Sequence, residues 1–150
     1  MPKTAAKTAT AKSSPTKRAT TRKPRETEAE TEPRVGVNLA VVRGTVSSPP
    51  EVRVLPSDTR LVQLQLTTRL ETETLSMPVS VFSPAAWVEA LEPGDEIVVV
   101  GRVRRRFFRA GGATASRVEL DAEVVARGSD RRRVEAVLRR ANAALEELQT

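Results

Sequence analysis

The chain has 150 residues, 25 Lys/Arg against 19 Asp/Glu, a formal charge of +6, and neither cysteine nor histidine. That length holds one compact domain plus tails and not two full-sized cores. The missing side chains exclude disulfides, thiolate or imidazole metal sites and the usual nucleophile–base pairs.

No Gly-rich phosphate loop is present, so any catalysis would rest on carboxylates, hydroxyls, Lys or Arg alone. The expectation is therefore a protein that is not an enzyme and needs no cofactor. No apolar run approaches the ~20 residues of a membrane span, and the N-terminus lacks the apolar stretch of a secretory signal.

Charge is unevenly placed along the chain. Residues 1–25 carry eight Lys/Arg and no acid, ETEAETE (26–32) adds four acids, and residues 35–129 hold eleven Arg against eleven Asp/Glu. Residues 1–34 contain no aromatic and no Val, Ile or Leu. Such a segment cannot bury enough apolar surface to offset the entropy of ordering, so it is expected to be disordered. It is either a solubility device or a flexible polycation that gathers phosphates. Residues 1–25 share with a mitochondrial transit peptide a basic, Ser/Thr-rich and acid-free composition. However, alanine and proline are their only apolar side chains beyond Met1, too weak for an amphipathic face.

From Val35 the texture changes to short β-branched runs broken by turn residues, which predicts an all-β domain over 35–128. VGVNLAVVRGTV (35–46) reads as a first strand with Gly44 a possible bulge, and SSPP and PSDTR read as turns. LVQLQLTTRL (61–70) alternates, with Val62, Leu64 and Leu66 on one face and Gln63, Gln65 and Thr67 on the other. In TLSMPVSVFS (74–83), Leu75, Met77, Val79 and Val81 share a face, and Pro78 suggests an edge or a bulge.

PAAWVEALEPGD (84–95) predicts a short helix, opened by proline and ended by Pro-Gly, with Trp87, Val88 and Leu91 as its apolar stripe. Two strands follow, EIVVVGRVRRRFFR (96–109) and SRVELDAEVVA (116–126), joined by a GGA turn. In the second, Val118, Leu120, Ala122 and Val124 alternate with Glu119, Asp121 and Glu123, which read as solvated. Three strands, a helix and two more strands is the chain order of an OB-fold, a five-stranded partly open barrel. Over 129–150, Ser129 or Asp130 can cap an amphipathic helix with a stripe of Val134, Leu138, Ala141, Leu145 and Leu148. That stripe packs either on the barrel or on a partner's copy of itself.

GRVRRRFFRAGG (101–112) puts two of the four aromatics directly after three arginines. Period-two alternation sorts this strand into two files. Ile97, Val99, Gly101, Val103 and Phe107 are expected to face the core, with Arg105 leaving that file where the strand outruns the barrel; Val98, Val100, Arg102, Arg104, Arg106 and Phe108 form the other file, which presents three arginines and one phenylalanine to solvent. A one-residue bulge before Phe107 would exchange the two phenylalanines. Phe82 likewise falls on an otherwise polar face. Outward aromatics beside an arginine file suit nucleic acid bound without sequence readout, which needs flat side chains for bases and cations along the backbone.

These residues resemble the bacterial single-stranded DNA-binding proteins, OB-fold proteins that usually assemble as tetramers. The resemblance covers roughly residues 38–127. VNLAVVRGTVSSPPEVRVLPSDTRLVQLQLTTR is similar to the family's first two strands, with its early Asn, its "dPelR" segment (Pro50, Glu51, Val52, Arg53) and its "lPsG" turn (Leu55, Pro56, Ser57, with Asp58 for Gly). GDEIVVVGRVRRRFF is similar to "kGd.v.veGrlr.r.w", and GGATASRVELDAEVVA to the final strand. RRRFFR, GG and ASRVEL look most like the shorter members from actinobacteria.

The resemblance implies stacking at Phe108, which falls on a Trp position, and at Phe82, which falls on the Phe of "vvlFgk". Two further aromatic positions, in TTRL and TLSM, are not filled. The family's acidic-tipped tail has no counterpart in the closing EELQT, so partner recruitment is not implied. The expected contacts are Phe82, Phe108, Arg102, Arg104 and Arg106, with Arg43, Arg53 and Arg69 secondary and the basic arm auxiliary. The expected role is binding and protecting single-stranded DNA in replication, recombination or repair, as a cytoplasmic, nucleoid-associated homo-oligomer without a small-molecule substrate. The alternative is an oligomerisation or protein-docking relative whose basic arm binds DNA of any kind.

Overall fold

The computed structural model describes residues 36–149, so the arm expected over residues 1–34 lies outside the described residues. The chain runs β1 (Ala40–Val46), β2 (Glu51–Val54), β3 (Arg60–Arg69), β4 (Thr74–Phe82), α1 (Ala86–Glu89), β5 (Glu96–Ala110), β6 (Ala113–Arg127) and α2 (Arg131–Glu146). It is mostly β, a six-stranded sheet with two helices. No helix among the described residues is long and apolar enough to cross a membrane.

Five strands close a ring of hydrogen bonds. β1 pairs antiparallel with both β3 and β5, β3 with β4, and β5 with β6, while β4 and β6 close the circuit in parallel through Val79–Val81 against Leu120–Ala122. The sixth strand, β2, corrects the expectation of five. EVRV pairs with Leu61–Gln63 and Arg60 of β3 as an exposed edge strand, between two turns that the sequence marks.

Inside the ring, Val62, Leu64 and Leu66 of β3 meet Val79 and Val81 of β4, Ile97 and Val99 of β5, Leu120 of β6 and Val88 with Leu91 beside α1. The alternation of β3 thus does as read. The helix is shorter than the 84–95 expected, four residues, because a turn toward Pro93 and Gly94 takes over. The Glu89 carboxylate accepts two bonds from Arg60, at 2.7 and 2.6 Å, tying α1 to β3 and raising the pKa of that guanidinium.

A second cluster lies outside the ring. Val98 and Val100 of β5 and Ala126 of β6 pack against Val134, Val137 and Ala141 of α2. Hence part of the β5 file expected in solvent is covered by the C-terminal helix. Asp130, not Ser129, caps that helix by accepting from the Arg133 backbone N–H at 3.1 Å. The helix buries positions 134, 137 and 141, whereas Leu138, Leu145 and Leu148 of the expected stripe stay exposed.

The first strand begins at Ala40 and not at Val35. Before it, the Asn38 side chain substitutes for a strand residue: its amide donates to the Val103 carbonyl (2.7 Å) and its carbonyl accepts from Val103 N–H (2.9 Å). Gly44 lies where β1 touches both neighbours, and a Cβ there would sit 2.7 Å from the Thr67 carbonyl oxygen.

Candidate nucleic-acid interface

The β5–β6 hairpin outruns the ring. β4 reaches β6 only as far as Leu120, so beyond that point β5 and β6 pair with each other alone, from Arg104 through Ala110 against Ala113 through Glu119. Gly111 and Gly112, both at positive φ, make the two-residue turn at its tip. With no neighbouring layer, the inward file of the sequence reading emerges into solvent. Val103 and Val118 are exposed, and Phe107, expected in the core, is 64% exposed. Leu75 emerges in the same way at the start of β4, where that strand pairs only with β3.

The hairpin therefore carries a phenylalanine on each face. Phe108 is 44% exposed on the outer face and Phe107 points the other way, with the Arg105 guanidinium 5.7 Å from its ring centroid. The Arg106 guanidinium, two residues before Phe108, lies 5.9 Å from the centroid of half-buried Phe82 on β4. Phe82, Arg106 and Phe108 thus follow one another across a single face. Arg53 extends it, because Arg53, Leu61 and Phe82 are in register across β2, β3 and β4. Arg102 and Arg104 complete the β5 file on that face.

Those arginines are not free. Arg102 meets Glu123 at 3.0 Å, Arg104 meets Asp121 at 2.9 Å and Arg106 meets Glu119 at 2.8 Å. Each reaches diagonally to an acid rather than to the residue directly opposite, since the register places Arg102 opposite Asp121, Arg104 opposite Glu119 and Arg106 opposite Arg117. Glu119 also draws in Arg117 at 3.5 Å. This corrects the reading of the β6 acids as solvated: Glu119 is fully buried, Asp121 is buried and Glu123 alone is exposed. The cause is the arginine layer itself, whose long stems cover the shorter carboxylates beneath it. Arg106 approaches Glu119 off the hydrogen-bonding direction, so neither oxygen of this carboxylate has a formed hydrogen bond. Nearby, the buried Ser80 hydroxyl is also unpartnered and lines a polar cavity of about 50 Å³ with Gln63, Gln65 and Arg117.

The secondary arginines divide. Arg43 pairs with Glu96 at 2.6 Å and Arg53 with Glu51 at 3.1 Å, both exposed pairs of small energetic weight. Arg69 has no ion pair among the described residues and shares with Arg43 an open groove of about 570 Å³, on which Thr67 and Thr74 also border. Those two threonines belong to the strand ends where aromatics are lacking. Trp87, half-buried, has the Arg127 guanidinium 5.0 Å above its ring.

Alternation alone hides Phe107 as a surface aromatic. The signal that could have found it is length: β5 and β6 have 15 residues each, more than any strand they pair with. No group of His, Cys, Asp or Glu among the described residues could hold a metal ion. No protein-family model matches the chain, and a search of curated proteins finds no significant match.

Proposed function

We propose that this chain is a non-enzymatic, sequence-tolerant single-stranded DNA-binding protein whose hydrogen-bonded ring is an OB-fold barrel. The ring order β1–β3–β4–β6–β5, its single parallel pair and a helix between β4 and β5 support the fold. The observation that carries the function is the file Phe82, Arg106, Phe108 on one face of an overhanging hairpin. Bases stack on Phe108 and Phe82, and the arginines contact the backbone. Because Arg102, Arg104 and Arg106 already hold carboxylates, a phosphate must share them, and stacking supplies most of the affinity at this face. Residues 1–34 act as an auxiliary phosphate binder. The protein's role is protecting single strands in replication, recombination or repair, as a nucleoid-associated homo-oligomer.

The test is fluorescence anisotropy of labelled oligothymidine across a salt series. Phe108→Ala lowers affinity by about 1–3 kcal/mol and leaves the slope of log K against log salt nearly unchanged. An affinity equal to that of the unsubstituted chain would remove the stacking face from the function.

The saturation of the β5 arginines by acids favours a second reading, a protein-docking or oligomerisation module whose basic arm alone binds DNA. Competition between single-stranded and duplex DNA separates the two. The stacking face predicts a strong preference for single strands, and the arm alone predicts none.

A further inference from the structure

Five arginines, Arg131, Arg132, Arg133, Arg139 and Arg140, lie exposed within ten residues of α2. None forms an ion pair with another described residue, in contrast to Arg102, Arg104 and Arg106 on β5. Only Asp130 and Glu135 oppose them in that stretch, and the Asp130 carboxylate is occupied in capping the helix. The difference decides where phosphates gain most. A paired guanidinium must give up or share its carboxylate to bind an anion, whereas an unpaired one releases only its counterions.

Their placement follows helical geometry. Arg132, Ala136 and Arg140 recur at four-residue spacing on one flank, about 12 Å from end to end along the axis. With Arg133, Val137 and Val124 of β6 they line an open groove of about 600 Å³ between helix and sheet. Arg133 and Val124 also line the next hollow, about 150 Å³, together with Phe82 and Trp87. The two hollows share these two residues, with flat rings on one side and the unpaired arginines on the other; Asp130, which caps the helix, borders the first and Glu123, which pairs with Arg102, borders the second.

We propose that this flank of α2 is a second stretch of the nucleic-acid path, on which Arg132, Arg133 and Arg140 hold the phosphates of a single strand leaving the Phe82 face. The inference rests on the reading of that face as a single-strand binder. A single strand is the occupant that uses both ends, because it offers unstacked bases to the rings and a backbone to the arginines, while a duplex offers only the backbone.

The experiment uses the full chain and two labelled oligothymidines, one of about 8 nucleotides that the sheet face covers and one of about 25 that reaches α2. The triple variant Arg132→Gln, Arg133→Gln, Arg140→Gln is compared with Arg131→Gln, Arg139→Gln, which removes charge from the same helix outside this groove. Far-UV circular dichroism and thermal unfolding confirm that both variants fold. The triple variant is expected to lose about tenfold or more on the long probe at low salt, with a salt slope shallower by about 2, at about 0.7 per phosphate contact. Its affinity for the short probe stays within about twofold, and the control variant keeps the long-probe advantage.

Equal losses on both probes, or from both variants, mean a general charge effect and overturn the path. No loss from the triple variant while Phe108→Ala weakens both probes overturns the path and leaves the sheet face standing. An unsubstituted chain that binds neither probe at low salt, or that loses its binding with an acidic protein competitor but not with single strands, overturns both readings.

Discussion

Glu119 sets the electrostatics of the sheet face. Its carboxylate is fully buried between Arg106 at 2.8 Å and Arg117 at 3.5 Å, so one acid withholds two guanidiniums from any phosphate. Glu119→Gln keeps the shape and removes the charge. The expected outcome is tighter binding of oligothymidine with a salt slope steeper by about 1, since each phosphate contact adds about 0.7. The same substitution destabilises the fold by about 1–3 kcal/mol in urea unfolding, because Arg106 and Arg117 lose the buried carboxylate charge with which they pair. Gly101 presents a stricter constraint: a Cβ there would collide with the Asp121 carbonyl oxygen, in backbone that no side-chain rotation relieves. Gly101→Ala is expected to cost about 1–3 kcal/mol by the same measurement. Neither role is legible in the sequence. Glu119 alternates with apolar residues as a solvated strand residue does, and its burial depends on arginine stems from another strand.

At the scale of elements, the strands were legible wherever both faces had neighbours. Val62, Leu64 and Leu66 sit inside as alternation requires, and so do Ile97 and Val99. Alternation failed in two places for two reasons. On β6 a bulge opposite Val100 and Gly101 leaves Glu123 with no residue opposite it in the register, so Val124 turns outward toward α2 and Val125 turns in. On the β5–β6 overhang the pattern is kept but the neighbours end, so Val103 and Phe107 are exposed although they lie on the inward file. The α2 helix shows a related ambiguity. Its apolar residues span more than one stripe, and docking selects Val134, Val137 and Ala141 because these meet Val98, Val100 and Ala126. Since a single cap anchors its first turn, Asp130→Ala is expected to lower stability by about 1 kcal/mol in chemical denaturation, with helix content falling first.

For the whole molecule, charge and fold are carried by different parts of the chain. Residues 35–129 balance eleven Arg against eleven Asp/Glu, while residues 1–25 hold eight Lys/Arg and no acid. Deleting residues 1–34 is expected to flatten the salt slope of oligothymidine binding and to leave the loss caused by Phe108→Ala unchanged. An unaltered slope would mean that the arm does not touch the strand. The ring also bears on how the chain comes off the ribosome. Its closing pair joins Val79 to Leu120, forty-one residues apart and parallel, so β4 has no partner on that side until β6 is made. At about 5–20 residues per second that wait lasts roughly 2–8 s, during which the β4 edge and the apolar inner face of β3 are open to other nascent chains. Synthesis halted before Leu120 should therefore leave an aggregating fragment, whereas a chain released a few residues beyond Ala122 can already close the circuit.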